Sequence, residues 1–391
     1  MLIFAALLAG TVIGRAVLPL RLSWKWKAGL SLAVLAAAFK FQLLHFFGGP
    51  MFFAPDLPEI VLLLSAWVFT ALFLFFFLLI GADIVRAGYL LFLFCRKRKR
   101  TERFRIVGNR VNLALVLFAA WLAAVGIWNG KKIPEVREAT VVLKNLPPEA
   151  DGLRIAVLVD FHVDGLTGAD YIGKIVGRTN ALQPDLVVIL GDFVDGTVAL
   201  RGRELLPLKD LSARYGVYGV PGNHEYYSGY EEWMRFLPTL GIRMLPNTHV
   251  KLFHGGLILA GVTDPAAAHR GGSELPDVEK ALANTPSGAV KILLSHQPRL
   301  AMKAAANGVD LQLSGHTHGG MIFGISHLVA RFNAGFVSGF YRVGRMTLYV
   351  SNGSGIWNGF PIRLGVPSEI TLLRLFLRDP EVIDQKFRTG K

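Results

Sequence analysis

Hydrophobic positions along this chain follow two regimes, and the change falls near residue 130. Before it they run nearly unbroken. Leu2–Leu20, Ala28–Phe47, Ile60–Ile80 and Val111–Trp128 form four stretches of the length a helix needs to cross a bilayer core of about 30 Å. Ile60–Ile80 carries no charge at all. Arg15, Lys40 and His45 interrupt the first two stretches near their ends, where long side chains can reach the interface. Leu2–Leu20 lacks the basic leader and clean cleavage site of a signal peptide, so it reads as a first span. Gly88–Cys95 is too short to cross alone and either lies at the interface or extends the third helix.

After Trp128 short apolar runs alternate with amphipathic segments. Leu153–Val159, Leu186–Leu190, Val217–Val220, Leu257–Val262 and Ile292–Leu294 read as buried strands. Ala169–Ala181, Glu204–Ala213, Tyr230–Leu237 and Pro298–Ala306 read as helices, the third stopped by Pro238. Alternation of this kind predicts an α/β fold. From Gly335 onward, Val343–Val350 and Ile370–Phe376 come without helices between them, which predicts a second, more antiparallel sheet. The expected division is a helical membrane region over 1–130, a linker over 131–149 and an α/β domain over 150–391.

Composition sharpens this picture in three places. Hydrophobic residues make up 52% and mean hydropathy is +0.43, too high for a wholly soluble chain, and the excess sits before residue 130. The single cysteine, Cys95, excludes an internal disulfide framework and a cysteine-based zinc site. A net charge of +14 would suit a nucleic-acid partner, but its distribution argues against one. Residues 1–130 hold 14 Lys and Arg against 4 Asp and Glu, while residues 131–391 hold 28 against 24. The positive charge is therefore an orientation signal. Arg96–Arg100 with Arg103 and Arg105, and the loop of Arg21, Lys25 and Lys27, should stay cytoplasmic. Gly48–Glu59 has no Lys or Arg and should lie outside. Alternation then puts everything after Trp128 outside the cytoplasmic (inner) membrane.

The candidate chemistry sits where apolar strands end, which is where loops of α/β sheets gather functional residues. The first strand delivers Asp160-Phe161-His162, the second Gly191-Asp192-Phe193-Val194-Asp195, and the third Pro221-Gly222-Asn223-His224-Glu225. Ser295-His296 follows Ile292–Leu294, and Ser314-Gly315-His316-Thr317-His318-Gly319-Gly320 comes later. Each alone has a plain explanation, because Gly-Asp and Gly-Asn are common turn signals and a lone His is usually structural. Five together are not explained that way. Asp164 and Glu225 read either as a loop cap and a turn acid or as substrate contacts. His45, His249, His254, His269 and His327 match no motif and read as structural.

Taken together, Asp-x-His, Gly-Asp-x-x-Asp, Gly-Asn-His-Glu, a further His and Gly-His-x-His resemble the calcineurin-like metallophosphoesterase superfamily. The layout, with the tail Pro361-Ile362-Arg363-Leu364-Gly365, resembles its membrane-associated bacterial branch. The resemblance covers roughly residues 150–376. It implies a two-sheet αββα sandwich holding two divalent metal ions, with Mn, Fe or Zn suited to the mixed nitrogen and oxygen donors. Asp160, His162, Asp192 and His318 would hold one ion, and Asp192 would bridge to a second held by Asn223, His296 and His316. A bridging hydroxide would attack a phosphate ester while His224, oriented by Asp195, protonates the leaving group. Val159 stands where relatives often have Ser or Thr, and Met321 where the branch often has Gln; neither is an expected ligand. Arg363 is a candidate phosphate clamp.

The resulting expectation is a membrane-anchored phosphoesterase acting on phosphate esters, with lipid-linked or phospholipid substrates suggested by the anchor. Monoester and diester chemistry share the same core. Two other classes are a non-catalytic metal-binding sensor or scaffold, and a small transporter with an appended domain. The transporter reading rests on the intramembrane charges Lys40 and Asp83.

Overall fold

The computed structural model describes residues 2–48, 55–98, 102–269, 274–357 and 359–378. It divides into two compact units, Met1–Asn129 with Asn358–Ile362, and Gly130–Trp357 with Arg363–Lys391. Parts of the two loops that carry the orientation signal, 49–54 and 99–101, lie outside the described residues.

Among the described residues, the elements of the first unit are helices: α1 (Leu2–Val12), α2 (Trp24–Ala38), α3 (Lys40–Gly48), α4 (Glu59–Cys95) and α5 (Glu102–Gly130). α4 and the Val107–Gly130 part of α5 are, among the described residues, the helices long and apolar enough to cross a membrane alone. The α2–α3 pair, bent by 72°, makes a third candidate. Over the expected first span, Leu2–Leu20, α1 is followed by a π-helical turn, Ile13–Val17, and together they make a shorter apolar helix than α4 or α5. Gly88–Cys95 extends the third stretch, as α4 runs unbroken to Cys95. Leu8, Val12, Phe75, Leu79 and Ala119 form the packed centre.

The intramembrane charges are accounted for by structure. Arg15 donates twice to Asp83, at 2.7 and 2.6 Å, and Arg86 donates to it at 2.9 Å. Arg86 also reaches the Gly108 carbonyl and Asn112, and Asn112 donates to the Arg15 carbonyl at 3.0 Å. This network ties the Ile13–Val17 turn after α1 to α4 and α5. The Lys40 ammonium lies over the Phe41 and Phe69 rings, at 5.3 and 5.7 Å from their centroids.

In the second unit, chain order runs β1 (Glu135–Val142), β2 (Arg154–Leu158), α6 (Ala169–Ala181), β3 (Leu186–Ile189), β4 (Val217–Gly219) and β5 (Ile242–Met244). It continues with β6 (Thr248–Leu252), β7 (Leu257–Gly261), β8 (Val290–Leu294), β9 (Leu311–Ser314), β10 (Gly339–Val343), β11 (Met346–Val350) and β12 (Glu369–Phe376). One sheet has the order β1-β12-β2-β3-β4-β5 and the other β10-β11-β9-β8-β7-β6. Within them β2 to β5 are parallel, as are β7, β8, β9 and β11.

Strand alternation explains the layering. Ile155, Val157, Leu186 and Val188 meet Leu257, Leu259, Ile292 and Leu294 between the sheets. The intervening Ala156, Leu158, Val187 and Ile189 pack outward against Ile172, Ile175 and Val176 of α6. Ile258, Ala260 and Leu293 do the same on the far side with Val278, Ala301 and Ala304. Both faces of the central strands are buried, which is why they read as continuous apolar runs. This is the expected αββα sandwich.

Four details differ from the sequence reading. The stretch 131–149 is not simply a linker, because it carries β1, an edge strand whose mostly exposed residues give no apolar run. Val343–Val350 is broken at Gly344, whose φ of 58° makes the turn of the β10–β11 hairpin. Nor does Ile370–Phe376 join that hairpin in one sheet: β12 returns to the first sheet between β1 and β2, where Leu373 and Leu375 complete the inter-sheet core. Glu204–Ala213 forms tighter 3₁₀ turns over Gly202–Asp210, since Pro207 supplies no N–H for an α-helical bond.

Candidate metal centre

Every motif falls just past the end of a strand. Asp160 and His162 follow β2, Asp192 and Asp195 follow β3, and Asn223 and His224 follow β4. On the facing sheet His296 follows β8, and His316 and His318 follow β9. Five of the seven expected ligands, Asp160, His162, Asp192, His316 and His318, sit at positive φ between 47° and 70°. Non-glycine residues adopt that region at a cost, which surrounding structure must impose. Close backbone approach is part of the imposition: a Cβ on Gly222 would lie 2.2 Å from Asp192 Oδ1.

Asp192 is at the centre. Its Oδ1 accepts the His224 backbone N–H at 2.8 Å. Its Oδ2 faces His296 Nε2 at 3.2 Å, His162 Nε2 at 3.6 Å and His224 Nε2 at 3.9 Å. Beside it, His296 Nε2 lies 3.1 Å from Asn223 Oδ1 and 3.2 Å from His316 Nδ1. On the other flank His162 Nε2 lies 3.0 Å from His318 Nε2, with Asp160 Oδ2 4.0 Å from the same His318 atom. Three groups have donor atoms within 4.8 Å of one another: Asp160 with His162 and His318, His162 with Asp192 and His224, and Asp192 with His296 and His316. All seven expected ligands are thus brought together.

These atoms fit a cation. Imidazole nitrogens that face each other at 3.0–3.2 Å repel unless a proton or a metal ion lies between them. Without an ion, protons take that place. Burial opposes charge on His296, but Asp192 and Asp160 overcome it and push it up to about 10. Burial and charged His296 together hold its partner His316 down at about 3. His318 is held well below the usual histidine range by burial and by His162. Burial raises Asp160 to about 6, while Asp192 stays well below the carboxylate range because His296 and His224 outweigh its burial. A divalent ion would displace these protons, since only deprotonated side chains ligate.

His224 stands apart from the pairs. Its Nδ1 forms a short hydrogen bond with Asp195, which lies 3.3 Å from His162 Nδ1 on its other oxygen. Burial works against charge on His224, yet Asp195 and Asp192 raise it to about 9. Asp195 falls to about 2 as His224 and His162 outweigh its burial. The imidazole edge reaches a cavity of about 300 Å³ lined by His162, Asp192, Asn223, His224, His316 and His318.

The remaining candidates are placed as follows. Glu225 accepts the backbone N–H groups of Gly222, Asp192 and Phe193, at 2.7, 3.0 and 2.8 Å, so it braces the two loops. Asp164 caps its own loop, accepting from Leu166 and Thr167. Arg363 is buried behind His318, donating to the His318 carbonyl at 2.9 Å and the Gly355 carbonyl at 2.8 Å, with His318 Nδ1 at 3.3 Å. It is not among the cavity-lining side chains. Sequence reasoning missed Trp357, Val329 and Asn333, which do line the cavity. No motif marks them; they arrive by tertiary folding of the segment after β9.

The matches to known proteins agree with this geometry. The family model for calcineurin-like phosphoesterase matches residues 153–320. An uncharacterized metallophosphoesterase of Helicobacter pylori is 40% identical over 252 residues, 64% of this chain and 66% of that protein. A zebrafish (Danio rerio) transmembrane protein with metallophosphoesterase domain is 35% identical over 308 residues, covering 76% of this chain and 69% of the relative. A Campylobacter jejuni metallophosphoesterase is 35% identical over 280 residues, 71% of this chain and 73% of that protein. Fold and clustered ligands define a metal-dependent phosphoesterase class. The chain belongs to the calcineurin-like phosphoesterase family, and it combines that domain with apolar helices of membrane-crossing length.

Proposed function

We propose that this protein is a membrane-anchored hydrolase of phosphate esters that would hold two divalent ions around Asp192. The reading is carried by the Asp192 carboxylate, one oxygen held by backbone and the other facing imidazoles from three loops. Asp160, His162, His318 and Asp192 would hold one ion, and Asp192, Asn223, His296 and His316 the other. When bound, such ions neutralise phosphoryl oxygens and acidify a water. The chain's own residues do the rest. Asp195 keeps the His224 proton on Nδ1 engaged, which leaves Nε2 facing the cavity to protonate the departing oxygen. Trp357 and Asn333 wall the cavity and limit the shape of the group that enters.

Anchoring by apolar helices supports amphipathic substrates such as phospholipid or lipid-linked phosphates. The charge distribution of residues 1–130 supports an extracytoplasmic α/β unit in the inner membrane. The test is hydrolysis by the full chain, loaded with manganese, of p-nitrophenyl phosphate, bis-p-nitrophenyl phosphate and phosphatidic acid. Turnover that requires added metal and disappears in Asp192→Ala is the expected result. Full occupancy by metal with no turnover of any ester would favour the sensor reading instead.

A further inference from the structure

The segment after Gly320 presents two faces with different surroundings. Met321, Val329 and Asn333 line the metal-site cavity. Phe323, Leu328 and Phe332, from the same segment around the short helix Ser326–Arg331, are 84%, 56% and 65% exposed. Met302 adds a further apolar side chain at 68% exposure, three residues from Arg299, whose guanidinium donates to the Phe332 carbonyl. A rim of large apolar groups therefore stands in solvent beside the cavity mouth. Monomeric soluble surfaces rarely keep such patches without a use.

Charge indicates what the rim meets. From Leu311 to Ser368 there is no Asp or Glu, while Arg331 on the rim's own helix and Arg299, bonded to the Phe332 carbonyl, are exposed. Apolar side chains interspersed with arginines suit an anionic bilayer surface, with aromatic and aliphatic groups below the headgroups and guanidinium groups among the phosphates. Only residues 131–134 separate α5 from β1, too few to let the α/β unit leave the neighbourhood of the membrane. We infer that this rim docks into the lipid surface and delivers the mouth of the metal site to phosphate groups at headgroup level. The inference deepens the lipid-substrate reading above and rests on it only for what is hydrolysed.

The test uses the full chain carrying Cys95→Ser, reconstituted in phosphatidylcholine–phosphatidylglycerol vesicles. A nitroxide is attached at Phe323→Cys or Leu328→Cys, with Lys174→Cys on α6 as the water-facing control. Docking predicts high oxygen and low nickel-chelate accessibility at 323 and 328, and the reverse at 174. Nickel accessibility at 323 and 328 equal to that at 174 overturns docking. Dipolar broadening between labels on two copies also overturns it, since a second copy would then cover the patch. A second arm combines Phe323→Ser, Leu328→Ser and Phe332→Ser. Docking predicts that turnover of vesicle-borne phosphatidic acid falls at least about tenfold while that of p-nitrophenyl phosphate is kept. An equal fall on both esters would mark the rim as structural and sink the proposal. The nitroxide result needs no turnover, so docking and hydrolysis fail separately.

Discussion

Two polar clusters, one in each unit, show what separates a brace from a site. In the helical unit Arg15, Asp83, Arg86 and Asn112 pair donors with acceptors, and the guanidinium groups supply the cations. Around Asp192 the pairing runs the other way: imidazole nitrogens face imidazole nitrogens, and Asp160 and Asp192 face the same gaps. The guanidinium closest to that cluster in role, Arg363, lies behind His318 rather than between ligands. A cluster that contains its own cation is closed and stabilises a bundle. One that lacks it must take protons or a metal ion, and so is open to chemistry.

The largest effect that would break this contrast is at Asp192. Asp192→Ala should lose bound metal, read by elemental analysis, together with all turnover; a variant that retained both would show the cluster to be closed after all. His224→Gln should lower kcat by about 10²–10⁴ while metal content stays constant. The fall should be smaller for a nitrophenyl than for an alkyl leaving group, because the former needs less protonation. A third variant, Arg363→Met, should weaken metal binding by about 10–100-fold, as loss of a ligand's supporting group does. If Arg363 were a phosphate clamp instead, KM would rise with metal affinity unchanged. In the closed cluster, Asp83→Asn should cost about 1–3 kcal/mol in thermal unfolding of the detergent-solubilised chain. Its turnover and metal content should match the parent.

Much of this was legible beforehand because chemistry and strand ends coincide. Asp160, Asp192, Asn223 and His296 each follow an apolar run that reads as a buried strand, and the resemblance of the motifs to a known family marked them as expected ligands before their geometry was known. The misses have physical causes. β1 has Val141 as its one buried residue because it is an edge, and β9 is interrupted by Gln312, whose amide donates to Ser314 Oγ at 3.0 Å. Apolar composition over Leu2–Leu20 does not reveal that its helical stretch stops at Val17.

Local sequence thus determined the two long apolar helices, the central strands and the motif residues at their ends, since each depends on residues within one turn or one strand. Tertiary structure alone decided which loops face each other across the two sheets, that β12 closes the first sheet, and that Arg363 stands behind His318. It also decided that Trp357 and Asn333 wall the cavity while Phe323 and Leu328 point away from it. Those outcomes depend on contacts between residues distant in the chain, which sheet order and inter-sheet packing create and no local pattern encodes.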